Sequence, residues 1–213
     1  MQNLISRLKT RWFDLCLSLS VDEEAKLGVF NSLATLYTEP HRAYHNLKHV
    51  SALLDLTENF RSEFKDFSVI NFAVWFHDAI YDPRRTDNEE QSANLAVARL
   101  KFLTVPTIQI EKIQQLILAT KTHDPGDLDF DAQLFLDSDI SILGADEIDY
   151  KNYQKAIRAE YNFVADELYK AGRTRILQSF LTREFIYLTA VCREQFEANA
   201  RKNIAGEITE LSS

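Results

Sequence analysis

The chain reads as an all-α protein, and three observations say so. Apolar residues recur at spacings of three and four along most of its length, no β-branched run alternates with period two, and only 5 Gly and 4 Pro punctuate 213 residues. With 46% hydrophobic and 26% charged residues the composition suits long packed helices better than a turn-rich sandwich. Two hundred residues bury one sizeable core and scarcely two, so a single domain over 1–213 is expected, with no internal repeat.

The elements follow in order. A first helix is expected from Asn3 to Leu19, because Leu4, Leu8, Trp12, Leu15 and Leu19 mark one face. Asp22 is a cap for a second, Glu23 to Tyr37, which turns Leu27, Phe30, Leu33, Ala34 and Tyr37 inward and stops before Glu39-Pro40. The polar loop HRAYHN follows, and Asn46 caps a third helix from Leu47 to Phe60. Val69 to Ile80 is apolar on almost every face, the mark of a buried helix. Beyond the breaker Asp82-Pro83, helices are expected at Glu89 to Phe102, Thr107 to Lys121 and Asp131 to Leu143, separated by Pro106, Pro125-Gly126 and Gly144. The last third adds helices around Ile148 to Lys170, Thr174 to Leu188 and Cys192 to Leu211.

Charge and cysteine content narrow the function classes. Lys and Arg total 24 against 32 Asp and Glu, a formal charge of −8, so no basic stripe is available to track duplex nucleic acid. Cys16 and Cys192 lie far apart, outside any CxxC or Cys-His cluster, and read as two structural thiols of a reducing compartment. Neither a signal-peptide core nor a run of ~20 apolar residues is present, so the chain is expected to be cytoplasmic and without a membrane partner.

The chemistry gathers around the histidines. His41, His45 and His49 lie within nine residues, and His77 ends the most apolar helix with Asp78 directly after it. A buried imidazole and carboxylate cost several kcal/mol unless compensated. A divalent cation suits both donor types, although from spacing alone pairing of Asp78 with His77 or a neighbouring arginine explains them equally well. Asp137 and Asp139 then interrupt the apolar run LFLDSDISIL, which favours a shared cation.

In this order the residues resemble the HD superfamily of metal-dependent phosphohydrolases: His49 in YHNLKHV, His77-Asp78 in VWFHDAIYDP and Asp139 in LDSDISIL. FHDAIYDP followed by NEEQSA is similar to a branch of that superfamily with no assigned substrate. The resemblance implies a helical bundle with a metal-site core over about 44–143 and a C-terminal helical extension over about 146–211. It implies one divalent ion (Mn, Mg, Co, Ni, Fe or Zn) held by His49, His77, Asp78 and Asp139, acting on a nucleotide or other small phosphate ester. In members with two metals, two further histidines fall between the doublet and the last Asp. Here only His123 does, which argues for a single ion. The alternatives are a di-iron oxygenase and a non-catalytic nucleotide-binding module.

Around those ligands the expected roles are softer. Asp82 or Glu89 is placed to take a proton from the attacking water, although each is also a good turn or first-turn residue. His45, outside the helix that Asn46 caps, is expected near the substrate, with Arg84, Lys121 and His123 as phosphate contacts. Asp137 is a capping acid or the partner that orients His49 or His77. His41 reads as an ordinary surface histidine, and the aromatic-rich C-terminal helices can cover a second copy in a homo-oligomer.

Overall fold

The computed structural model describes residues 2–123, 127 and 129–212, and among them the chain is all-helical, without strands. The described residues fall into two compact units, Met1–Phe135 and Leu136–Ser213.

The first unit contains α1 (Gln2–Leu15), α2 (Glu23–Leu36), α3 (Leu47–Asn59), α4 (Phe67–Phe76), α5 (Asn88–Phe102) and α6 (Thr107–Ala119), with a 3-10 turn at Arg61–Glu63. The start of α7 (Phe130–Asp139), up to Phe135, also belongs to it. Local chemistry sets the starts. Asp22 accepts the Ala25 N–H at 2.7 Å, Asn46 the Lys48 N–H at 2.8 Å and Asp66 the Val69 N–H at 3.2 Å, each satisfying a donor that has no partner inside the helix. Buried α4 forms the centre. Its Trp75 meets Trp12 of α1 edge-on with centroids 5.4 Å apart, and Phe30 of α2 at 6.0 Å. Asp131 fastens α7 by accepting the backbone N–H groups of Lys65 and Asp66 at about 3 Å.

In the second unit, α8 (Glu147–Glu160), α9 (Asp166–Leu181) and α10 (Ala190–Leu211) follow the end of α7 and a 3-10 turn at Ile140–Gly144. A Cβ at Gly144 would lie 2.6 Å from both Cβ and the carbonyl oxygen of Phe196, so only glycine lets that turn lie against α10. The interior holds an ionic network. Arg173 of α9 donates to both oxygens of Glu207 on α10, at 2.8 and 3.1 Å, and Tyr150 donates its hydroxyl to the same carboxylate. Burial alone would raise Glu207, yet the Arg173 hydrogen bonds and charge, with Tyr150 and Gln154, outweigh it and lower its pKa.

Several boundaries depart from the sequence reading. α1 ends at Leu15 rather than Leu19, since the chain turns at Cys16 and leaves Leu17 exposed. α4 stops at Phe76 rather than Ile80. Past that point the carbonyls of Asp78 and Ala79 turn to the Arg42 guanidinium. α7 tightens into a 3-10 turn after Asp139 instead of running to Leu143. The helix expected over Ile148 to Lys170 is two. Arg158 donates to the carbonyls of Tyr161 and Val164, which ends α8, and Asp166 opens α9, so Thr174 lies inside a helix. The Pro125-Gly126 break lies outside the described residues.

Candidate metal centre

α3 and α4 pack together and bring His49 and His77 face to face. His49 lies one turn into α3, on the side that buries Val50, Leu53 and Leu54. His77 caps α4, its backbone N–H still bonded to the Ala73 carbonyl at 2.9 Å, and is 1% exposed. The two Nε2 atoms are 3.0 Å apart. Asp78 turns its Oδ2 back onto them, 3.1 Å from Nε2 of His77 and 3.8 Å from Nε2 of His49.

The other ring nitrogen of His77 fixes the chemistry. Nδ1 lies 3.0 Å from the Val74 carbonyl, a group that only accepts, so Nδ1 carries a proton, and whenever the ring is neutral its lone pair is at Nε2. That lone pair faces a carboxylate oxygen at 3.1 Å. Two acceptors at this separation in a buried site repel unless a proton or a cation lies between them.

The loop after the doublet is held from two sides. Asn88, at the start of α5, accepts the Asp82 N–H at 3.0 Å and donates to its carbonyl at 2.9 Å, while the Ser92 hydroxyl accepts the Ile80 N–H and donates to the Ile80 carbonyl. Buried Arg42 donates to the Asp78 carbonyl at 2.6 Å and the Ala79 carbonyl at 2.9 Å. None of these three was among the expected site residues. The signals were an arginine between the histidines of HRAYHN and the polar positions of NEEQSA, both too ordinary to read without the fold.

His45 lies outside α3 and stacks on Tyr81 with centroids 4.1 Å apart, its ring 6.1 Å from that of His49. His41 is exposed, with Nε2 2.7 Å from the Tyr81 carbonyl oxygen. Asp82 uses Oδ1 to accept the Arg84 N–H at 2.9 Å, as a turn residue does, and Arg84 also lies 3.9 Å from it as an ion pair. Glu89 is in the first turn of α5. Lys121 donates to the Thr86 carbonyl at 2.8 Å and to Glu90 at 2.5 Å, and that hydrogen bond raises the Lys121 ammonium and lowers the Glu90 carboxyl. His123 follows α6 in the left-handed region, φ 49°, and its N–H reaches the Ala119 carbonyl. Among the described residues, Asp82, Glu89 and His123 fall outside the group of metal-type donors that includes His49 and His77.

Asp137 and Asp139 part company. Asp137 accepts from the Leu188 N–H, the Thr189 N–H and the Thr189 hydroxyl, each at 2.7 Å, and so secures the entry to α10, of which Thr189 is the cap. Burial raises its carboxyl above the usual range, against those bonds and the charge of Arg193. The partner that orients His77 is the Val74 carbonyl, not Asp137. Asp139 is the last residue of α7 and partly exposed. By donor type, His49, His77 and Asp139 each suit a metal ion. Both thiols are buried and unbridged, and burial pushes each up to about 12. No helix among the described residues is long and apolar enough to cross a membrane. Compared with family models, curated proteins and solved structures, the chain matches none.

Proposed function

We propose that the chain is a metal-dependent phosphohydrolase of the HD type, using one divalent ion on a nucleotide or another small phosphate ester. The observation that carries this reading is the convergence of Nε2 of His77, 3.1 Å from the Asp78 carboxylate, and Nε2 of His49, 3.0 Å from that of His77: a cation suits all three groups at once. His49, His77 and Asp78 are three of the ligands, and Asp139 is the fourth, as the ordered HD pattern implies and its donor type allows.

A bound divalent ion would supply Lewis acidity and lower the pKa of a coordinated water. The rest falls to the chain. Val74 keeps His77 in the tautomer that offers Nε2, so no rearrangement precedes binding. Asp82 or Glu89 takes the proton released by the attacking water. Lys121, Arg84, His45 and His123 hold the phosphate. Lys121 and Arg84 already face carboxylates, so an incoming phosphate exchanges one anionic partner for another at little net electrostatic gain.

Metal analysis and a turnover screen test this together. The chain is purified without added ions, its metal content measured, and nucleotides and phosphate esters offered with Mn, Mg, Co and Ni in turn. Turnover that depends on the ion and disappears, with the metal, in Asp78→Ala is expected. Unchanged metal content and turnover in Asp78→Ala would refute the proposal. Two irons per chain would favour the oxygenase, and nucleotide binding without turnover the binding module.

A further inference from the structure

We infer that Arg42 is a positioning residue that sets the separation of the two histidine-bearing segments, an inference that rests on the metal reading of this site. Its side chain is fully buried. Nη1 donates to the carbonyls of His45, at 3.1 Å, and Asp78, at 2.6 Å, and Nη2 donates to that of Ala79 at 2.9 Å. The guanidinium lies over the rings of Tyr37 and Tyr81, 5.2 and 5.7 Å from their centroids, and Nε donates to Glu39 at 3.0 Å.

What the three carbonyls belong to makes this more than packing. His45 immediately precedes Asn46, the cap that starts α3 and thereby fixes the rise and rotation of His49. Asp78 and Ala79 immediately follow His77, where α4 has ended. Were α4 to continue, the donors to those two carbonyls would be residues 82 and 83. The Asp82 N–H is committed to Asn88, and Pro83 has none. One planar group therefore supplies the missing donors of one ligand helix and ties them to the cap of the other. The Nε2–Nε2 distance of 3.0 Å is held by this bridge as well as by the α3–α4 contact.

Lysine cannot replace it. An ammonium keeps the charge but presents its donors from a single atom, whereas the guanidinium reaches adjacent carbonyls from two nitrogens in one plane. The carbonyls, and not the charge, are the functional partners, so Glu39, which faces only Nε, is dispensable to the effect.

The test titrates chelator-stripped protein with Co²⁺ alone, reading the d–d absorption, while urea unfolding of the metal-free protein reports the fold separately. Wild type is expected to develop a saturable band. Arg42→Lys should fold, as judged by far-UV circular dichroism, yet bind Co²⁺ about tenfold or more weakly and with an altered band. Glu39→Gln should stay within about twofold of wild type, since the three carbonyl bonds persist. Arg42→Lys matching wild type in affinity and band overturns the inference alone. Loss of folding in both Arg42→Lys and Arg42→Met makes Arg42 a requirement of the fold and also overturns it. Absence of any band in wild type overturns the metal reading itself.

Discussion

Replacing Arg173 by methionine removes the only guanidinium facing Glu207 among the hydrogen bonds described, and the cost can be worked from the geometry. The pair is buried, side chains 8% and 5% exposed, with two N–H···O bonds and the Tyr150 hydroxyl on the same carboxylate. Leaving one charge of a buried pair behind costs about 3–5 kcal/mol, whereas replacing both by apolar groups removes that penalty. In Arg173→Met/Glu207→Leu the remaining loss is that of the Tyr150 and Tyr153 hydroxyls, which lose their partners, about 1–3 kcal/mol. The double variant should therefore be more stable than Arg173→Met, and the cycle should show a coupling of about 2 kcal/mol or more. Urea unfolding followed by circular dichroism measures all four proteins. A loss below about 1 kcal/mol in Arg173→Met, or costs that simply add, would show that the network is not what holds α9 to α10.

Acid should expose the same network. Glu207 has a lowered pKa when folded, so its stabilisation is complete above the ordinary value of 4.5 and is lost as pH falls through the lowered one. Wild type should accordingly lose more stability than Glu207→Gln between about pH 5 and 3, by urea midpoint. Gly144→Ala pushes a Cβ into the Phe196 backbone and should cost about 1–3 kcal/mol, while Gly172→Ala, inside α9 with nothing within 4 Å of its Cβ, should gain up to ~1 kcal/mol. A divalent ion at a hundred times its Kd should stabilise the stripped chain by about 2.7 kcal/mol, a rise in Tm of roughly 5–10 °C that His77→Ala abolishes in differential scanning fluorimetry.

The fold class and helix starts were legible because their causes are local. Asp22 and Asn46 cap the helices that follow them through bonds two or three residues long, and the apolar run of α4 needs no partner to be recognised. Where an element ends, or breaks, depends on groups far along the chain. Arg42 lies 36 and 37 residues from the carbonyls it satisfies, and nothing in VWFHDAIYDP announces it. The same holds for Asp137. Its intrusion into an apolar run was visible, but its partners are Leu188 and Thr189, some fifty residues later, so a cap and a ligand look identical in sequence. For the site, pattern order selected His49, His77 and Asp78. What it did not contain was the Val74 carbonyl, which faces Nδ1 of His77 and leaves Nε2 turned toward His49.

The two explanations of the doublet that spacing left level both keep a proton on Nδ1, facing the Val74 carbonyl, and differ only at Nε2. Suppose the metal-free protein balances Asp78 with a doubly protonated His77. Then Asp78→Asn removes a buried ion pair partner and should destabilise the metal-free chain by about 3 kcal/mol or more. Suppose instead that His77 is neutral, with its lone pair at Nε2 opposed by Oδ2 at 3.1 Å. Asparagine then places an N–H donor where the carboxylate oxygen stood, creating a hydrogen bond worth about 0.5–1.5 kcal/mol, and the metal-free chain becomes more stable. In both cases a ligand is lost, so the rise in Tm on adding metal should shrink. The cation reading requires the second pattern: a metal-free chain stabilised by Asp78→Asn and a loaded one weakened by it. Urea unfolding with chelator present, repeated with the ion, gives both numbers on one protein, and a metal-free Asp78→Asn that is markedly less stable than wild type sinks the neutral-imidazole account.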